Sequence, residues 1–291
     1  PLLAALASAV LPGSKDHRME LVSACLRVNE LRSIKRFEPY QKLAEMARWF
    51  HEHPSGMLYI GDQFITDLLV WYHLAWMGET VRRKNTLIQQ LMNKGTGFTL
   101  HDRRELVKVI GELLSSVIDR YRELAEHGRI ELAMSPYAHP IVPLMLDIDT
   151  ARDAMPDIVM PDLPNYPGGE ERARWHINEG ISTFEQYFDK RPKGCWPSEG
   201  GVSTAALAKL EEFGFIWAAS GESVFRHSQS KPVNKSIAGS SLYQGFRMAD
   251  GELACFFRDD GLSDLIGFTY SDWHADDAVS NLIEHLENIA A

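Results

Sequence analysis

An α/β fold with a parallel sheet, open or closed into a barrel, is what this sequence predicts, and three observations carry that expectation. Residues 128–291 alternate short apolar runs with amphipathic stretches of helical period. Residues 1–127 are helix-rich and lack that alternation. The 291 residues, 45% hydrophobic and 24% charged, contain no compositional linker, so one domain over 1–291 with its own core is expected. Strand–helix alternation implies parallel pairing, because parallel neighbours need a crossover and a helix supplies it. In such folds the loops after the strands' C-terminal ends carry the chemistry.

The elements follow in order. Residues 37–53 place Leu43, Met46, Ala47 and Phe50 at helical spacing. Residues 65–77 are apolar nearly all round, the pattern of a buried helix, so Trp71, Tyr72 and Trp76 are expected in the core rather than as a sugar platform. Residues 101–127 read as a long amphipathic helix, with Asp102 three before Glu105 in the manner of a capping box. A strand over 129–134 opens the second half, and a helix over 170–189 ends before Arg191-Pro192. Packing is likewise expected of Trp175 and His176 on that helix. Residues 194–196 form a short strand, because Pro197 forces extended backbone before it and donates no ladder bond. A helix over 203–213 has Ser203 as N-cap and Gly214 as its stop. Strands at 215–219 and 253–258 and a helix at 276–289 complete the pattern.

Composition narrows the function. Thirty Lys and Arg against forty Asp and Glu leave a net charge of −10 with no basic run, which speaks against nucleic acid or an anionic membrane as partner. No apolar stretch approaches the roughly 20 residues that span a bilayer. Cys25, Cys195 and Cys255 lie far apart without a CxxC pair, so a reducing, cytoplasmic setting is expected rather than a disulfide scaffold or structural zinc. Dinucleotide, Walker and GxSxG signatures are lacking, and His51 and His53 point to different helix faces, so neither a cofactor nor a metal is expected.

Two loops stand out. GCWPSEGGVS, residues 194–203, sets Glu199 directly after a strand end, with Trp196 as a flat apolar face suited to a sugar ring. A surface turn whose Glu complements the next helix's N-terminus would also explain it. FFRDDGLSD, residues 256–264, follows another strand; alternation puts Cys255, Phe257 and Asp259 on one face and Asp260 on the other. An Asp-rich turn capping the next segment is the plain alternative. Together the loops offer carboxylates on the ends of different strands, which glycoside hydrolysis requires. A third segment, residues 128–147, carries Glu131 within a strand and His139 in the loop after it. NYPGGEE, residues 165–171, opens a helix and is too short for a phosphate loop.

Taken in this order, GRIELAMSPYAHPIVPL, YPGGEE, GCWPSEGGVS and FFRDDGLSDLIGF resemble glycoside hydrolase family 57, with the amylopullulanase and α-amylase branch as the nearest flavour. The resemblance implies an incomplete seven-stranded (β/α) barrel followed by a helical region. It implies retaining enzymes that act on α-1,4 or α-1,6 linked glucans or maltooligosaccharides without a required metal. Carried over by motif, Glu199 is the nucleophile and Asp259 the general acid/base. Trp196 lines the subsite beside the nucleophile, Glu131 hydrogen-bonds sugar hydroxyls, and His139 is a further wall residue. A His-Gln-Pro strand and an Asp-Gly-Glu-Asn motif, both part of the family pattern, do not occur here. The chain is therefore expected to be an internal fragment, truncated at both ends and weakly active or inactive alone. A 4-α-glucanotransferase or branching enzyme would use the same two carboxylates, and a non-catalytic α-glucan-binding protein would keep the fold without turnover.

Overall fold

Capping side chains explain where several helices of the first half begin. Ser14 and Asn85 accept the N–H of His17 and Ile88, and Pro39 sits in the first turn of its helix. The computed structural model describes residues 1–163, 165–230, 241–248 and 251–291, which fall into two compact units, 1–117 and 118–291. The first holds α1 (Leu2–Ala7), α2 (Lys15–Cys25), α3 (Glu38–Glu52), α4 (Asp62–Trp76), α5 (Glu79–Lys84), α6 (Thr86–Lys94) and the start of α7 (Leu100–Glu126). Helices α3, α4 and α7 lie where the periodicity puts them.

The expected capping box is displaced by one turn. Thr99 N–H donates to Asp102 Oδ2 at 2.7 Å and Asp102 N–H donates to Thr99 Oγ1 at 3.2 Å. Thr99 is thus the N-cap and Asp102 the reciprocal partner, not the first member of a pair with Glu105. Around α4 the first unit's core gathers Tyr40, Ala44, Leu68, Trp71, Leu91 and Leu106. Trp71 is 2% exposed and donates its indole N–H to the Gly95 carbonyl at 2.5 Å. Trp76, expected beside it in the core, is 65% exposed because it closes the helix. Buried Asp67 accepts the N–H groups of Gly97 and Phe98, which offsets the cost of taking a carboxyl out of water.

The second unit is built on a sheet of β1 (Ala133–Met134), β2 (Gly194–Cys195), β3 (Trp217–Gly221), β4 (Phe246–Arg247) and β5 (Ala254–Arg258). Its order is β1-β2-β3-β5-β4; β4 is antiparallel to β5 and the other pairs are parallel. The α/β class therefore holds, with a mixed sheet, since β4 has no counterpart in the sequence pattern. Helices α8 (Val142–Leu146), α9 (Ala151–Ala154), α10 (Gly169–Phe188), α11 (Thr204–Glu212), α12 (Glu222–Ser230), α13 (Asp260–Gly267) and α14 (Ala275–Ala290) accompany it.

Two strands start later than their apolar runs suggest, for one reason. Gly214, at φ +85°, ends α11, and the Phe215 N–H reaches back to the Leu210 carbonyl at 3.1 Å. Gly128 and Arg129 end α7 the same way, Arg129 N–H donating to Leu124 O at 2.9 Å. These are Schellman caps, so the first residues of each run close a helix and only the remainder pairs as strand.

Met134, Cys195, Ala218 and Cys255 are register partners across four strands and all are buried. Ile177, Ile181 and Phe184 of α10 and Leu207 and Leu210 of α11 pack on the first three. One residue earlier in register, Gly194 stands beside Trp217, whose indole lies over it; a Cβ there would fall 1.9 Å from the ring. The three cysteines are free, buried thiols, and burial pushes Cys25 and Cys195 up to about 12 and Cys255 up to about 11. Among the described residues, no helix is long and apolar enough to cross a membrane.

Candidate active site

Because β1, β2, β3 and β5 run the same way, the loops after them share one edge of the sheet. His139 follows β1, Glu199 follows β2, Glu222 follows β3 and Asp259 follows β5. Glu131 precedes β1 and so lies at the opposite edge. There it accepts the indole N–H of Trp217, the first residue of β3, at 2.6 Å. The structure thus groups His139, Glu199, Trp196 and Asp259 at one edge and leaves Glu131 apart from them.

Glu199 is presented by a strained turn. Its φ of 54° and ψ of 20° are left-handed, a region that side-chain-bearing residues seldom occupy. Gly200 N–H donates to Pro197 O at 2.8 Å, and the buried Ser220 hydroxyl of β3 donates to Gly200 O at 2.5 Å. These bonds close the turn and tie it to the next strand, which leaves the Glu199 side chain exposed. Ala138 and His139 are left-handed as well, at φ 57° and 59°. Their loop is held from α10: Tyr137 N–H donates to His176 O at 2.9 Å, and His176 Nδ1–H donates to Tyr137 O at 2.7 Å. Trp175, 53% exposed, meets Tyr137 edge-on at 5.7 Å. The Trp175-His176 pair therefore supports the loop instead of filling the core. Held this way, His139 Nε2 stands 3.2 Å from Glu199 Oε1, donating its N–H to the carboxylate oxygen.

The second carboxyl is set differently. Asp259 is the N-cap of α13, its Oδ1 accepting the Leu262 N–H at 2.8 Å, and its Oδ2 accepts the Tyr243 hydroxyl at 2.6 Å. Partial desolvation raises its pKa. The bonds from Tyr243 and from the Leu262 and Gly261 N–H groups, with His285 nearby, outweigh that and hold the carboxyl below the usual range. In return, donation to Asp259 pushes Tyr243 up to about 12. The adjacent Asp260 has a different task. It accepts from Arg258 at 3.0 Å and from the Ser223 N–H at 3.3 Å, joining β5 and α12. Arg258 also lies 5.5 Å from the Trp196 ring, so one face of that indole carries a guanidinium. Tyr243, His176 and Ser220 have no motif signal and are found only by what the fold brings near the two acids, while Arg258 stands inside the FFRDDGLSD loop beside them.

Between the two acids runs the end of β3, and its last residues are small. Ser220 turns its hydroxyl to the Glu199 turn, and Gly221 approaches the Asp260 carboxylate, a Cβ there falling 3.3 Å from its oxygens. Glu199 and Asp259 thus follow the two strands that flank the small end of β3. Strands about 4.8 Å apart put the β2 and β5 backbones roughly 10 Å from each other, a span two acidic side chains can narrow from both sides. Next to the Glu199 turn a cavity of about 520 Å³ opens, bordered by Ile141, Gly201, Val202, Ser223, Val224 and Met155. Among the described residues, no group of three or more His, Cys, Asp and Glu is gathered as for a metal ion.

A 1,4-alpha-glucan branching enzyme of Thermococcus kodakarensis is 24% identical over 106 residues, which are 36% of this chain and 12% of that enzyme. The solved alpha-amylase AmyC of Thermotoga maritima aligns at a TM-score of 0.41 and 14% identity, over 69% of this chain and 34% of the amylase. The family 57-type branching enzyme of Pyrococcus horikoshii aligns at 0.38 and 18% identity, over 88% of this chain and 45% of the enzyme. The chain thus spans less than half the length of each. A family model matches nearly the whole sequence, from residue 15 to residue 291. The chain belongs to glycosyl hydrolase family 57.

Proposed function

We propose that this chain carries the catalytic centre of a retaining, α-glucan-active glycoside hydrolase of the α-amylase or pullulanase type, cleaving α-1,4 and/or α-1,6 bonds. The observation that supports it most is the placing of Glu199 and Asp259 on one sheet edge, either side of the small end of β3. Glu199 attacks the anomeric carbon as Asp259 gives its proton to the departing oxygen. Asp259, now a carboxylate, takes a proton from water, and that water displaces Glu199. His139 holds the nucleophile's orientation through its 3.2 Å contact. The free face of Trp196 offers a stacking surface to the sugar next to it. For Glu131, the bond to Trp217 at the far edge supports a bracing role over the sugar contact that the motif implies. The parallel strands β1, β2, β3 and β5 are taken as part of the seven-stranded barrel of the family, and the setting as cytoplasmic.

Retention calls for carboxyl groups roughly 5–5.5 Å apart. The test is proton NMR of the first sugar that the whole protein, rather than the 291 residues alone, releases from amylose, pullulan or maltotriose. An α-anomer is expected, and its release should fall by several orders of magnitude in Glu199→Gln while glucan still binds. A β-anomer as first product, or full activity in that variant, overturns the reading. A second reading has its own support, since a relative by sequence is named a 1,4-alpha-glucan branching enzyme. In it the same carboxylates pass the glucosyl unit to a sugar hydroxyl, and α-1,6 branches appear in place of reducing ends.

A further inference from the structure

At the sheet edge opposite the two acidic loops, a chain of net charge −10 gathers positive charge around one hollow. A cavity of about 560 Å³ opens there, within the second unit. Among the described residues, Arg129, Lys190, Arg191 and Lys193 border it together with one carboxylate, Glu131. Two turns bring the cations to one place. The cap that ends α7 delivers Arg129 just ahead of β1, and Asp189, left-handed at φ 51°, ends α10 and opens the turn from Lys190 to Lys193 before β2. Lys193 is held through its carbonyl, which accepts the Ile216 N–H at 2.9 Å. Arg191 donates to the Phe213 carbonyl at 2.8 Å and stands 3.4 Å from Glu185.

The other three side chains are uncompensated. Among the described residues, Arg129, Lys190 and Lys193 make no ion pair and no side-chain hydrogen bond. Glu131 does not neutralise them, because it is turned to the Trp217 indole at 2.6 Å. The negative ends of α7 and α10 draw a cation apiece. Four cations around one hollow exceed that need, and their mutual repulsion is relieved by an anion placed between them.

We infer that this cavity is a binding site for a phosphate ester, a small organic molecule carrying a phosphate group. Guanidinium and ammonium groups together suit a phosphate, since Arg pairs with two of its oxygens at once and Lys supplies a compact charge. A cavity of this size takes a whole small molecule, so a bare phosphate leaves most of it unfilled. Ile130, Leu132 and Phe184 form an apolar wall for the body of the ester. Glu131 borders the same cavity and holds the Trp217 N–H, so an anion that enters lies close to that bond.

The experiment is calorimetric titration of the whole protein, at constant low ionic strength, with glucose 6-phosphate, inorganic phosphate and glucose in turn. Saturable binding of the ester is expected, weakened about tenfold or more in the double variant Lys190→Ala, Lys193→Ala. Both side chains are exposed, so the Tm should match that of the parent. No saturable binding of the ester, or equal binding in the double variant, overturns the proposal. Glucose binding as tightly as the ester removes the phosphate's part and also overturns it. Inorganic phosphate binding as tightly as the ester overturns the assignment to an ester. A second readout locates the ligand: the Trp217 indole N–H signal in nitrogen-15 NMR, identified by its loss in Trp217→Phe, should move as the ester is added. A signal that stays in place overturns the placing. No glucan enters these measurements, and Glu199 and Asp259 follow strand ends at the other edge, so the result is independent of the hydrolase reading.

Discussion

Ala138, His139 and Glu199 hold left-handed backbone at one sheet edge, an arrangement costing on the order of 1–3 kcal/mol each. The Ser220 hydroxyl and the α10 bonds to Tyr137 are what hold it in place. The acids themselves were readable as residues, since each follows an apolar run that ends abruptly. The turn that aims Glu199 was not, because nothing in Ser-Glu-Gly-Gly specifies which residue takes the positive φ. Tyr243 was invisible for a different reason: its partner lies sixteen positions away with no periodicity between them. At the same scale, Gly194 is a clear expectation. Its Cβ would strike the Trp217 indole, so Gly194→Ala should cost about 1–3 kcal/mol in urea unfolding and free the indole from Glu131, seen as altered tryptophan emission.

The helix after Ser203 was legible because an apolar stripe came with a cap, the Ser203 hydroxyl accepting the Ala206 N–H at 3.2 Å. By contrast α2 and α6, capped by Ser14 and Asn85, are absent from the sequence reading. Strands were legible by position but not by length. The apolar run from Phe215 is shared between the cap of α11 and β3, and hydropathy does not mark that division. Among the described residues strand β4 has two residues and a single neighbour, too little pattern for a sequence to announce. The start of α7 shows how a motif can be read one turn late, since Thr99 and Asp102 both suit an N-cap. The structure gives the role to Thr99. Thr99→Ala should therefore lower the urea midpoint by the equivalent of about 1 kcal/mol, while a change at Glu105 should leave it nearly unmoved.

Over the whole chain the acidic balance sets how stability responds to pH. Donation from Arg82 and Arg83, with Arg36 nearby, brings Glu79 to about 2 in the first unit. Arg174 and Lys209 bring Glu212 to about 2 in the second. A carboxyl depressed on folding adds stability that is complete above its ordinary value of 4.5 and is lost as pH falls from there towards 2. Both groups are at the surface, where solvent screens them, so the effect is modest. Glu212→Gln should make the acid limb of the stability curve shallower at low ionic strength, and about 0.5 M salt should erase most of the difference. The buried thiols have a practical bearing on all of these measurements. Protonated at neutral pH and closed off from solvent, Cys25, Cys195 and Cys255 are poor nucleophiles. A cysteine introduced on the surface would be the one site that takes a maleimide dye, so spectroscopic probes can be placed beside either carboxylate without first removing the protein's own sulfur.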